Sequence, residues 1–375
     1  MTVFLFIFFL LLIAYGILIG YFRRAWNNLK EYQLFGIPDI SVSIIVAVRN
    51  EAGNLEQLLG CLYGQNYPKD RYEVIVVDDH SSDNTEAVFT AFHTPELMKH
   101  YLRSEPGSHS KKSAITRGVD QAQGKVIITT DADCSMGSAW ISHIAACFTD
   151  ADTKLIAAPV FMQGPKTFLG IFQSLDFLAL QGITGAAVDK RFLSMCNGAN
   201  LAYTKEVFQE VGGYEGIDTI ASGDDMLLMH KIALNYPLQI RYLKSREAVV
   251  TTSTETSWKA FFNQRIRWAS KGVHYKDKKI VYVLLLTYLF NFCFIIMAVA
   301  SLLYIKWSMF LLLFLAAKIL IEFPFVNAVA IFFRQRALMW YFPLMQPFHI
   351  IYTIIAGWLG RFGSYKWKSR VVKNN

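Results

Sequence analysis

The chain has 375 residues, 53% hydrophobic and 15% aromatic, with a formal net charge of +8. Residues 25–279 hold 26 Lys/Arg against 28 Asp/Glu, whereas the two ends hold 11 Lys/Arg against one Glu. The basic excess therefore flanks apolar segments, where it meets lipid and sets orientation, and no nucleic-acid partner is expected.

Residues 3–22 run for 20 positions without a charge and are followed by Arg23 and Arg24. That length crosses a bilayer core. The run exceeds a signal-peptide core and no basic segment precedes it, so 1–24 is expected to be a retained membrane helix. "SVSIIVAV" (41–48) and "YEVIVVDD" (72–79) read as buried strands, and "NLEQLLGCLYGQ" (54–65) as a helix capped by Asn54. A helical run over Lys111–Ala122 leads into a strand at 125–130, and "KLIAAPV" (154–160) follows as another strand. Strand and helix alternating at this spacing predict an α/β fold with a mostly parallel sheet, whose ligands sit beyond the carboxyl ends of the strands. Asp78, Asp79, Asp131 and Asp133 all lie at such ends.

No GxGxxG follows the first strand and no GxxxxGK[ST] occurs, which argues against a dinucleotide or P-loop site. Five cysteines without a CxxC argue against zinc and against a disulfide framework. Asp131 and Asp133 stand one residue apart, so an extended chain points both to one side. Like charges that close call for a cation, a proton or full solvation.

Toward the C-terminus, 280–305 is uncharged and 307–333 is apolar apart from Lys318 and Glu322, four apart and placed to pair on one helix face. In 337–360 only His349 can carry charge near neutral pH. Two to three membrane helices are expected over 280–360, then a basic tail, 361–375. Arg23, Arg24 and Lys30, with Lys271, Lys276, Lys278 and Lys279, favour a cytosolic 25–279 at the plasma (inner) membrane. Three spans would put the tail outside, whereas Arg361, Lys366, Lys368, Arg370 and Lys373 favour the inside. Pro343 and Pro347 would suit an interfacial or re-entrant 337–360.

Four patterns occur in order: "VRNEAGN" with "VDDHSSDNT", "KKSAITRG" with "TTDADCS", "SGDDMLL", and "QRIRW". Together they resemble the membrane-bound family 2 glycosyltransferases, which include ceramide glucosyltransferases and the cellulose, chitin, hyaluronan and poly-N-acetylglucosamine synthases. The resemblance covers about residues 40–270. It implies a nucleotide-sugar-binding GT-A domain with a mostly parallel sheet, one N-terminal transmembrane helix and two to three C-terminal ones. Glu51 and Asp79 would then contact the base and ribose of the nucleotide. Lys112 would approach the diphosphate, with Lys111 a surface residue. Asp133, with Asp131, would hold Mg²⁺ or Mn²⁺, and Asp131 would also reach ribose. Asp225 would be the general base for the acceptor hydroxyl, supported by Asp224. Gln264, Arg267 and Trp268 would serve the diphosphate and the sugar or acceptor. Asp78 is left open between a nucleotide contact and a turn residue.

The chain departs from the pattern in three places. Ala47 stands where the family usually has Pro, and Asp224 replaces a Glu. Asn197 and Ala199 flank Gly198 where sugar-polymer synthases carry Cys-Gly-Thr or Cys-Gly-Ser. The implied activity is inverting transfer of a hexosyl or N-acetylhexosaminyl group from a nucleotide-sugar, UDP-linked by expectation, to a lipid or membrane-associated glycan. The alternatives are a processive polysaccharide synthase, for which about four spans are few, and a non-catalytic membrane subunit. The complete acidic set argues against the second.

Overall fold

The computed structural model describes all residues except 1, 94–95, 106–109, 193–194, 221, 275–276, 368–369 and 374–375; of 273–274, 365–367 and 370–373 the backbone alone is described. Two compact units emerge, one of residues 29–163 and 187–253, the other of residues 1–28, 164–186 and 254–375.

The first unit is built on β1 (Val42–Val48), β2 (Tyr72–Asp78), β3 (Met98–Arg103), β4 (Val126–Thr130), β5 (Ser135–Met136), β6 (Leu155–Ala157), β7 (Val160–Gln163), β8 (Leu201–Thr204), β9 (Ile240–Tyr242) and β10 (Val250–Ser253). A seven-stranded sheet runs β3-β2-β1-β4-β8-β6-β9, and a three-stranded sheet runs β5-β10-β7. β3, β2, β1 and β4 are parallel, with Ile44 opposite Val74 and Ile128. β8 enters antiparallel between β4 and β6. β2 and β4 are buried along their whole length, which is why Val74–Val77 of β2 and all of β4 read as apolar or β-branched runs. The stretch 154–160, expected as one strand, divides at Ala158–Pro159 into β6 and β7, which join different sheets. Proline cannot donate a ladder hydrogen bond, so the chain leaves the first sheet there.

Its helices are α2 (Ala52–Tyr63), α3 (Thr85–Ala91), α4 (Lys111–Gln121), α5 (Trp140–Ala146), α7 (Lys205–Glu210) and α8 (Asp224–Asn235). Asn54 is not the cap of α2. The chain turns at Glu51, and the Asn54 amide donates to the Glu51 carboxylate at 2.9 Å. α4 is capped by Ser110, whose hydroxyl accepts from the Ser113 N–H. Gly118 lets α4 lie against β1, since a Cβ there would stand 2.7 Å from Ile45 Cγ2.

The second unit contains α1 (Thr2–Asn28), α6 (Phe168–Asp189, apart from its last residues), α9 (Trp258–Ser270), α10 (Lys278–Leu303), α11 (Lys306–Phe332) and α12 (Phe342–Phe362). Among the described residues, α1, α6, α10, α11 and α12 are long and apolar enough to cross a membrane. α6 was not anticipated. It is the most enclosed of the five, with 78% of its apolar window buried. Lys318 and Glu322 pair at 2.6 Å, and the Tyr15 hydroxyl also donates to Glu322. Charges on so apolar a helix persist only when paired. The segment with Pro343 and Pro347 is one continuous helix, α12, with Pro343 in its first turn. The tail carries a two-stranded hairpin, β11 (Ser364–Trp367) with β12 (Arg370–Lys373).

Candidate active site

The carboxyl ends of the parallel strands deliver the acidic residues. β4 ends at Thr130, and Asp131 and Asp133 follow in the turn beyond it. Asp133 Oδ2 accepts from the Thr252 hydroxyl at 2.9 Å. Burial, then the charge of Asp131, raises the Asp133 carboxyl above the usual carboxylate range, while the Thr252 bond pulls it back; Glu51 adds to the rise. A pair of acids in which one is held up by the other is stabilised by a divalent cation. Among the described residues no three His, Cys, Asp or Glu side chains converge for a metal. The donor set is two carboxylates, which suits Mg²⁺ or Mn²⁺ completed by water and substrate phosphate.

α8 starts at Asp224 after Gly223, whose φ of +85° turns the chain into the helix. Asp225 is 9% exposed. Its Oδ2 accepts from the Gly198 N–H at 3.2 Å and its Oδ1 from the Met226 N–H at 2.7 Å, which fixes the carboxylate plane. Gly198 sits against the cluster: a Cβ there would be 3.2 Å from Asp224 Oδ2 and 3.4 Å from Lys111 Nζ. Asn197 caps this turn through the Ala199 N–H, and Thr129 donates to the Gly198 carbonyl at 3.0 Å. The Asn-Gly-Ala sequence thus forms a tight wall behind the two acids.

The lysines exchange places relative to the expectation. Lys112, expected at the diphosphate, is 3% exposed, and its ammonium donates to the carbonyls of Ile217, Ile220 and Ser222. Lys111, set aside as a surface residue, lies 2.6 Å from Asp131 and 3.2 Å from Asp224. Burial opposes the Lys111 charge, but Asp131 and Asp224 outweigh it and push its pKa up. Lys111 is thus the lysine that meets the acids, and Lys112 anchors the loop leading to α8.

Asp79 ends in the same region, 3.5 Å from Arg49 and 3.3 Å from His80. The Asp78 carboxylate accepts from the N–H and hydroxyl of Ser81, so Asp78 is a turn residue. A cavity of about 610 Å³ opens at the ends of β2 and β3, lined by Asp78, His80, Tyr101, Arg103, Ser104 and Arg117 among others. Enclosed there, Ser104 Oγ and the Arg117 Nε–H have no hydrogen-bond partner among the described residues. Nothing in the local sequence marks these two, because strand pairing and α4 packing bring them together.

Gln264, Arg267 and Trp268 lie on α9, in the helical unit. Gln264 donates to Glu255 at 3.0 Å and accepts from Arg265 at 2.6 Å. Arg265 lies over the Trp268 ring, 4.2 Å from its centroid, and pairs with buried Asp176 of α6 at 2.9 Å. Arg267 is partly buried near the end of the helix.

A family model described as glycosyl transferase family 2 matches residues 43–212. The probable glycosyltransferase YdaM of Bacillus subtilis (strain 168) is 26% identical over 248 residues, 65% of this chain and 56% of that protein. The beta-monoglucosyldiacylglycerol synthase of Trichormus variabilis is 33% identical over 275 residues, 67% of this chain and 52% of that protein. This chain thus spans a little over half the length of such curated relatives. Among solved structures, the mannosyltransferase PcManGT from Pyrobaculum calidifontis, in complex with GDP-Man and Mn²⁺, gives a TM-score of 0.58 at 19% identity, covering 95% of this chain and 97% of that one; this is a likeness of fold. The chain carries a glycosyl transferase family 2 domain with the GT-A fold.

Proposed function

We propose that the protein is an inverting glycosyltransferase that moves one sugar from a nucleotide-sugar, UDP-linked, to a hydroxyl of a lipid or membrane-associated glycan. Its catalytic unit, within 25–279, faces the cytosol at the plasma membrane. The observation that carries this is the convergence of Lys111 with Asp131 and Asp224, beside the fixed carboxylate of Asp225. An acid pair, a cation and a separate oriented acid suit a diphosphate leaving group and an incoming hydroxyl. A membrane subunit without chemistry has no use for all three. The lipid acceptor is favoured by the lipid-glycosylating relative and by the Asn197–Gly198–Ala199 wall, which departs from the polymer-synthase pattern.

In this scheme Asp79 and Glu51 contact the base and ribose, and the cavity at the ends of β2 and β3, lined among others by Ser104 and Arg117, receives the nucleobase. Asp133 and Asp131 would hold Mg²⁺ or Mn²⁺, and that ion would supply Lewis-acid stabilisation for the charge on a leaving diphosphate. Lys111 turns from its carboxylates to the diphosphate oxygens as a mobile point charge. Asp225 takes the acceptor proton while the acceptor oxygen bonds to the anomeric carbon, and the diphosphate leaves with the electron pair of the broken bond. One base and one displacement invert the configuration. Gln264, Arg267 and Trp268 contribute hydrogen bonds and a flat apolar face toward diphosphate and acceptor.

Chelation tests the scheme. EDTA should abolish transfer and added Mn²⁺ restore it, while Asp133→Asn should stay folded and lose most activity at any Mn²⁺ concentration. Full turnover of the parent enzyme in chelator would refute the role given to Asp131 and Asp133.

A further inference from the structure

We infer that Asp176, buried on α6, is a positioning residue for α9, acting through Arg265; the inference rests on the substrate-facing role proposed above for Gln264, Arg267 and Trp268. Asp176 and Arg265 are 6% and 3% exposed. One carboxylate oxygen accepts a hydrogen bond from Arg265 Nε at 3.1 Å and lies 2.9 Å from Nη2 within the ion pair. The other receives the Tyr352 hydroxyl of α12, with His349 Nε2 4.0 Å away.

That pairing leaves Nη1 directed along α9, where it donates to Gln264 Oε1 at 2.6 Å. The guanidinium plane lies over Trp268 at 4.2 Å and over Phe261 at 4.9 Å. Two of the three motif side chains are therefore set by a single guanidinium, and that guanidinium is set by Asp176. α12 closes the other side: Gly360 lies against Ala269, where a Cβ would stand 2.6 Å from the alanine Cβ and 3.0 Å from its carbonyl carbon.

A buried ion pair is weak evidence for stability, because well-packed apolar residues of similar volume often replace one without loss. What apolar residues cannot replace is the directed N–H toward Gln264 and the charged plane over Trp268. The pair orients the helix face more than it holds the fold.

The test uses the full chain in lipid nanodiscs, with donor affinity, kcat, KM and melting midpoint measured for each variant. Asp176→Leu with Arg265→Met should melt like the parent and bind the UDP-sugar normally, yet lose about 10²-fold in kcat, the cost of a small misplacement of substrate-positioning groups. Arg265→Lys keeps the charge and loses the planar guanidinium with its N–H toward Gln264, and it should show the same kcat loss with an unchanged midpoint. It keeps the inference testable should the double variant not fold. Parent-like kcat in either variant overturns the inference. Arg267→Ala and Trp268→Ala serve as controls: if both turn over normally, the role assigned to α9 fails, and the inference falls with it. If they are impaired while the Asp176 and Arg265 variants are not, only the positioning role is refuted.

Discussion

Replacing Lys111 by methionine removes the cation that, among the described residues, lies between Asp131 and Asp224, while keeping the length of the side chain. The ammonium lies 2.6 Å from Asp131 and 3.2 Å from Asp224, with 23% of the side chain exposed. Charge-assisted hydrogen bonds contribute roughly 1.5–3 kcal/mol each, and exposure of Lys111 and Asp131 screens both contacts, so a net loss of about 2 kcal/mol is expected. In a domain of this size that lowers the melting midpoint by about 4–8 °C. Two further effects have opposite signs. Without Lys111 the acids gather uncompensated negative charge, so Mn²⁺ alone should bind more tightly. The departing diphosphate, however, loses a donor, and transfer should fall by about 10²–10³-fold. Calorimetric titration with Mn²⁺, followed by a transfer assay at saturating Mn²⁺, separates the two. Lys112→Met should behave differently, because its ammonium holds three carbonyls of the 217–222 loop: it should lose stability and leave Mn²⁺ affinity unchanged. Weaker Mn²⁺ binding in Lys111→Met, or normal transfer, would refute the placement of this cation.

Asp225→Asn keeps the size and the capping oxygen but removes the base, so it should fold, bind nucleotide-sugar normally and lose at least about 10²-fold in turnover, with Asp224→Asn milder; a dead Asp224→Asn beside an active Asp225→Asn would move the base to Asp224. Asp133 is raised by burial and by Asp131, and only its ionised form binds a cation, so Mn²⁺ affinity should weaken on acidification at a pH above the ordinary aspartate range. Thr252→Val removes the hydroxyl that lowers this pKa and should shift that weakening to higher pH; a shift to lower pH would contradict the electrostatics. The basic tail is proposed to be cytosolic, so a cysteine at position 374, in an otherwise cysteine-free chain, should be shielded from an impermeant thiol reagent in intact cells. Labelling from outside would place it across the membrane.

The acids and strands were legible in the sequence for one reason. A parallel strand buried on both faces reads as an unbroken apolar run, and a carboxylate at its end stands out. "VIITTDAD" and "YEVIVVDD" carry that signal on their own. The two lysines did not. At the start of a helix, adjacent side chains point about 100° apart. Which of Lys111 and Lys112 faces the acids depends on where Ser110 starts the helix and on the 217–222 loop, more than a hundred residues away. α6 was hidden because Gln173, Asp176 and Gln181 dilute its apolar character; packing inside the helical unit buries them. The split at Pro159 and the cavity lined by Ser104 and Arg117 are likewise products of tertiary pairing.

The most direct test of the central claim is a product assay: membranes containing the protein, Mn²⁺ and a panel of labelled UDP-sugars, with the lipid fraction resolved by mass spectrometry. One UDP-sugar should yield a lipid heavier by a single hexose or N-acetylhexosamine, β-linked when the donor is α-linked, and lost on chelation and in Asp225→Asn. A product formed equally by Asp225→Asn, or an α-linked product from that donor, would contradict single-displacement transfer at this site.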